Sequence, residues 1–212
     1  VLIKTIAETL ELSIPRYPIL GGNRYRGLEK TRLKKLLSEW LALEKQRPTF
    51  SIVDLECSRR LSFGDLEISL KLDRIDSVNG HLVVIDYKSG EITASHWEGD
   101  RPKDPQLPIY VLASAPQAKG CAFAQVKAGK IRFTGVSLNE LIPDVEAIDT
   151  WDIQVAQWQS AITGLADEFN AGVAQVEVFD SSNFQYQSHL LPLNRWHEES
   201  DINSELLKKS KQ

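Results

Sequence analysis

Residues 70–90 read LKLDRIDSVNGHLVVIDYKSG, and this stretch decides the fold. From Leu66 to Leu72, Leu66, Ile68, Leu70 and Leu72 alternate with Glu67, Ser69, Lys71 and Asp73. Period two predicts a strand with one buried face. A second apolar run, His81 to Lys88, follows Asn79-Gly80. Asn-Gly between two such runs is a strong hairpin signal, because both central residues of the tight turn take positive φ. A two-residue turn makes Val78 face His81. Counting back from there places Asp73 opposite Asp86 and Lys71 opposite Lys88.

That register has a chemical consequence. Directly opposed residues on one face hold their Cβ atoms roughly 4.5–5.5 Å apart, so two carboxylates there repel each other. A divalent cation between them removes the repulsion, and Mg²⁺ is commonly held by one or two carboxylates with water and phosphate oxygens. Period two puts Lys88 on the face of Asp86, where an ammonium beside a bound water or phosphate could stabilise developing charge. The alternative is structural: Asp73, Arg74, Asp76, Asp86 and Lys88 as a salt-bridged, solvated sheet face. A slip of one residue in the turn would separate the acids.

Outward from the hairpin, Leu33, Leu36, Leu37, Trp40 and Leu41 recur at helical spacing over 29–44, and Pro48 follows as a stop. Residues 49–56, TFSIVDLE, form a short β-branched run. Residues 1–27, with Pro15, Pro18 and Gly21-Gly22, read as a loosely organised lead-in. After Gly90 a loop runs to Asp104, which can cap a helix beginning at Pro105. Two strand-like runs flank Ala128-Gly129 as a second hairpin. Val155, Trp158, Ile162, Leu165 and Phe169 mark a last helix over 152–171, with Gly172 behind it. The order predicts a mixed α/β domain.

Composition bounds the function. The chain has 212 residues, 42% hydrophobic and 25% charged, as in an ordinary globular domain. Lys and Arg total 25 against 29 acidic residues, a net charge of −4, so any contact with nucleic acid must use local patches. The basic segments at 23–35, 59–60, 99–103 and 127–132 each read, taken singly, as solvated faces. Two cysteines, Cys57 and Cys121, lack metal-ligand spacing; they argue against a disulfide framework and lead to the expectation of a reducing, cytoplasmic setting. No apolar run could span a bilayer, and no signal-peptide pattern opens the chain. Val1 as first residue and the lack of any methionine lead to the expectation that a region of a longer protein precedes it.

Taken with WEGDRPKDPQLPIYVLA at 97–113, residues 70–90 resemble the nuclease domain of the RecB-like branch of the PD-(D/E)XK superfamily, and within it the AddB-like and DNA-repair proteins of bacteria. The resemblance runs from about Glu29 to Phe169. It implies an α/β restriction-endonuclease-like core, a mixed central sheet flanked by helices, over residues 29–172. Residues 1–28 would lead in from a preceding region, and 173–212 would be a C-terminal wrap with a tail. The family's G-x-x-D, D-x-K and Q-x-x-x-Y motifs carry over to Asp73, to Asp86 with Lys88, and to Gln106 with Tyr110. The resemblance implies DNA as substrate and Mg²⁺ or Mn²⁺ as cofactor. Asp73, Asp86 and the Tyr87 backbone carbonyl would be metal ligands, and Lys88 the partner of the attacking water. Gln106 and Tyr110, four apart, would share a helix face; a polar helix surface with a packed tyrosine is the bland alternative. Glu56 reads equally as an outer-shell group or a strand-edge acid. Arg101 and Lys103 are candidate DNA contacts.

Three departures from the family stand out. Leu70 replaces the glycine of G-x-x-D. No histidine occupies the family's upstream metal-binding position; the four are His81, His96, His189 and His197. Gln185, Ser188 and Asn194 stand where many relatives carry iron–sulfur cysteines, and none offers a thiolate, so no iron–sulfur cluster is expected. The leading expectation is a DNA nuclease domain of a larger repair or recombination protein. The second is a catalytically inactive module of the same fold that holds DNA or a helicase domain or subunit. A third is a metal-dependent hydrolase of a small phosphorylated compound.

Overall fold

The alternating runs around Asn79-Gly80 become the middle of a six-stranded sheet. In the computed structural model, which describes residues 1–92, 97–114 and 117–174, the sheet runs β1 (Phe50–Phe63), β2 (Leu66–Val78), β3 (His81–Lys88), β4 (Ala118–Lys127), β5 (Lys130–Leu138) and β6 (Glu146–Ile148), neighbours in that order. Pairs β3/β4 and β5/β6 are parallel and the rest antiparallel, so the sheet is mixed as expected. Asn79 (φ 50°) and Gly80 (φ 83°) both take the left-handed conformation of a tight hairpin turn, and Val78 pairs with His81. The helices are α1 (Leu2–Ser13), α2 (Asn23–Glu44), α3 (Gln106–Ser114) and α4 (Trp151–Asn170).

β3 and β4 are buried on both faces, which is why residues 82–85 and 121–124 read as continuous apolar runs. On one face Val84, Cys121 and Phe123 pack with Leu107, Tyr110 and Val111 of α3 and with Trp151 and Trp158 of α4. On the other, Val83, Ile85, Ala122 and Ala124 pack with Trp40 of α2 and with Phe133. The buried indoles satisfy their N–H groups locally: Trp151 donates to the Ala118 carbonyl (2.9 Å) and Trp158 to the Trp97 carbonyl (3.1 Å). The chain divides into two compact units, Val1–Asp167 and Glu168–Gln212. Within the second, the amide of Gly172 (φ 70°) donates to the Phe169 carbonyl, a glycine helix stop as expected.

Two expectations need correction. Residues 2–13 form a helix rather than a loose lead-in, and α2 starts already at Asn23. Ile6 and Leu10 of α1, four apart, bury with Leu20 against Leu33 and Leu37 of α2. The Pro and Gly punctuation at 15–22 marks the link between two helices, which include a short 3₁₀ turn at Pro18–Gly21. Glu56, expected at a strand end, lies in the middle of β1 and takes φ 50°.

Candidate active site

The β2/β3 ladder follows the expected register from Val78/His81 to Arg74/Ile85, then stops. Across from Asp73 on its other side, Glu56 has its irregular backbone, and no pair joins β1 to β2 there. Leu72 and Ile75 both enter the same core cluster, so the period-two alternation slips by one residue at Asp73. Asp73 therefore sits where two ladders break. Its Oδ2 accepts the amide of Tyr87 at 2.9 Å, replacing the backbone bond the ladder no longer supplies. Lys71 does not face Lys88. It pairs with Ser58 of β1, and its ammonium meets the Glu56 carboxylate at 2.6 Å, both groups being exposed.

Asp86 and Lys88 share the α3 side of β3, as alternation requires. Asp86 is 3% exposed. Its Oδ1 accepts from Gln106 Nε2 at 2.7 Å. Its Oδ2 is buried and lies 2.8 Å from the Lys88 ammonium, an ion pair with the neighbouring residue on the same face. Burial pushes the Asp86 carboxyl above its ordinary range. The Lys88 ammonium opposes that shift, while the negative charges of Asp73 and Asp104 add to it.

Helix α3 starts where it does because Asp104 accepts from the Gln106 amide at 3.1 Å, an N-terminal cap of the expected kind. The first residue, Gln106, then uses its whole side-chain amide. Oε1 accepts from the Lys88 ammonium, and Nε2 donates to Asp86 and, at 2.8 Å, to Tyr110 Oη. One turn on, Tyr110 Oη donates to the Lys71 carbonyl at 3.0 Å. Burial, with the nearby charges of Asp86 and Asp73, raises the Tyr110 phenol above its ordinary range against the lowering effect of Gln106, so it acts as a neutral donor at pH 7.

Five of the candidate residues thus meet: Asp73, Asp86, Lys88, Gln106 and Tyr110. Tyr87 brings its backbone to Asp73, while its ring turns to the opposite face, edge-on to Trp40 with centroids 5.7 Å apart. Glu56 forms an ion pair with Lys71, the residue two before Asp73. Arg101 is half-buried and Lys103 exposed, both just ahead of the Asp104 cap. Asp104 was legible only as a cap, although the acid at the start of a helix that carries Gln106 is the signal for its second, electrostatic effect on Asp86. His81 opens β3; His96, His189, His197 and the Gln185, Ser188 and Asn194 frame lie outside the described residues.

The donor set suits a hard divalent cation. It offers two carboxylates and a strand-end carbonyl, one buried carboxylate oxygen being met only by the Lys88 ammonium among the described residues. Among the described residues no three His, Cys, Asp or Glu side chains cluster in a metal-binding group, so remaining positions would fall to water and phosphate oxygens.

The mixed sheet and its broken ladder gather two acids, a lysine and a glutamine at one edge of α3. The family model of the PD-(D/E)XK nuclease superfamily matches residues 3–183. The chain belongs to that superfamily, whose nucleases generally use divalent metals. No curated protein matches. A solved structure described as "Crystal structure of SSO0001" aligns at 14% identity over 87% of this chain and 90% of that one, with a TM-score of 0.30, a likeness too slight to bear on fold or function. No helix among the described residues is long and apolar enough to cross a membrane.

Proposed function

We propose that the chain is a Mg²⁺- or Mn²⁺-dependent deoxyribonuclease domain, RecB-like or AddB-like, with residues 29–172 as its core and a place in a larger DNA repair or recombination protein. The observation that carries the reading is Asp86. It is buried, its Oδ2 is ion-paired with Lys88 at 2.8 Å, and its Oδ1 is tied through Gln106 to Lys88 and Tyr110.

Asp73, Asp86 and the Tyr87 carbonyl would hold the cation, which when bound supplies Lewis-acid stabilisation of charge on the phosphoryl oxygens. The side chains do the rest. Lys88 donates to the attacking water or to a non-bridging phosphate oxygen, holding one where the other can meet it. Gln106 fixes Lys88 from one end of its amide and Asp86 from the other, so the cationic and anionic groups keep a set separation. Tyr110 anchors that amide to the Lys71 carbonyl and holds α3 against β2. In hydrolysis a water gives up a proton to solvent as its oxygen bonds to phosphorus, one P–O ester bond breaks, and the departing sugar oxygen takes a proton from solvent.

Linear DNA incubated with Mg²⁺ or Mn²⁺ should be cut by the parent chain, with the rate falling by about 100-fold or more in Asp86→Ala and Lys88→Ala. Full DNA binding with no cleavage under either metal would contradict the reading. It would support the second one, an inactive module that binds DNA or a helicase partner, which the lack of a third acidic or histidine ligand among the described residues favours.

A further inference from the structure

The face of the sheet opposite the candidate site carries a buried cluster of charge. Arg74, 5% exposed, donates from Nε to Asp76 Oδ1 (2.7 Å) and from Nη2 to Asp76 Oδ2 (2.9 Å) and Glu44 Oε2 (3.1 Å). Its remaining nitrogen, Nη1, donates to Tyr87 Oη at 2.8 Å. Arg47 completes the cluster, 2.8 Å from Asp76 Oδ2 and 3.2 Å from Glu44 Oε1, with its guanidinium over the ring of Phe50. Two guanidinium groups thus meet two carboxylates, and the charges cancel.

Removing four charges from water is costly, and apolar residues of similar volume would often serve stability as well. What the cluster does that apolar packing would not is fix direction. Arg74 follows Asp73 in β2, and Tyr87 stands between Asp86 and Lys88 in β3. Arg74/Ile85 is the last pair of the ladder, so beyond it no backbone bond sets the spacing of the two strands. The Arg74–Tyr87 hydrogen bond crosses that gap from behind, and the Asp73–Tyr87 amide bond crosses it from the front. A planar guanidinium held on every nitrogen has little freedom to move.

We infer that Arg74 and Tyr87 are positioning residues: their cross-strand hydrogen bond, anchored on Asp76 and Glu44, sets the separation of the Asp73 and Asp86 carboxylates for a divalent cation. The inference rests on the proposed function. It assigns the Tyr87 hydroxyl a role apart from its ring, which packs against Trp40 whether or not the oxygen is present.

Tyr87→Phe keeps the ring and removes only the hydroxyl. Titration of Mn²⁺ into the parent and into Tyr87→Phe by calorimetry should show affinity falling by about tenfold, the usual scale for a partner that orients a ligand. The thermal midpoint without metal should fall modestly, since Arg74 Nη1 loses its acceptor, and the amide at position 87 should exchange hydrogen faster, because its Asp73 acceptor is less well held. The Mn²⁺ concentration for half-maximal cleavage should rise in parallel, with the rate at saturating Mn²⁺ recovering. Leu112→Ala, in a separate apolar cluster, should lower stability without moving Mn²⁺ affinity. Unchanged Mn²⁺ affinity in Tyr87→Phe, with a parent that binds Mn²⁺ through Asp73, would overturn this inference alone. A parent that binds no Mn²⁺ would overturn the proposed function and the inference with it.

Discussion

Asp86 shows how one position joins stability to chemistry. Its carboxyl is raised by burial, so the folded, metal-free chain holds the proton more tightly than the unfolded chain does. The sign follows from linkage: the favourable contribution is complete below the ordinary value of 3.8 and is lost as pH rises through the raised folded value. At neutral pH the ionised carboxylate is therefore a liability that a bound cation would relieve. Asp86→Asn carries no such charge. Melting curves in chelator should show Asp86→Asn gaining stability relative to the parent between about pH 3 and pH 7. Mn²⁺ should raise the melting temperature of the parent but not of the variant. A constant difference across that pH range would contradict the account. Sequence alone brought Asp73 and Asp86 together by counting from Asn79-Gly80. It could not show that Asp73 would turn to the Tyr87 amide, because that depends on two ladders failing at one residue.

At the scale of elements, the hairpins and α3 were legible because each is punctuated by residues with one local use. Asn79-Gly80 and Gly129 mark turns, and Asp104 marks a cap. The helix α1 was obscured by proline and glycine after it, though Leu2, Ile6 and Leu10 carry a helical spacing. The buried Glu44, Arg47, Arg74 and Asp76 were not legible as a group, since ion pairing between α2 and β2 links residues 30 apart in sequence and no periodicity reports it. β4 lies beside β3 and fixes it in the sheet, and Gly135 of β5 governs how closely β4 can be approached. A Cβ there would fall 2.1 Å from the Cys121 carbonyl oxygen and 2.6 Å from the Ala122 Cα. Backbone cannot yield as a flexible side chain would. Gly135→Ala should thus cost about 1–3 kcal/mol. The loss should appear as a lower denaturant midpoint at unchanged slope; an unshifted midpoint would show that β5 relaxes freely.

For the whole molecule, the net charge of −4 requires a polyanionic substrate to be held by few, local contacts. The candidates, Arg101 and Lys103, precede the Asp104 cap and so flank the start of α3, which carries Gln106 to the site. Lys103→Ala should weaken binding of DNA measured without divalent metal, and should reduce the slope of log affinity against log salt by about 1. Mn²⁺ affinity should be untouched. An unchanged salt slope would remove Lys103 from the DNA-binding surface. The central claim concerns chemistry, and Lys88 tests it most directly because the claim gives it a role at the water or phosphate and none in holding the cation. Cleavage of linear DNA under saturating Mn²⁺, parent against Lys88→Ala, should show a loss of about 100-fold or more with Mn²⁺ binding retained. Equal cleavage by parent and variant, or none by the parent, would contradict the account.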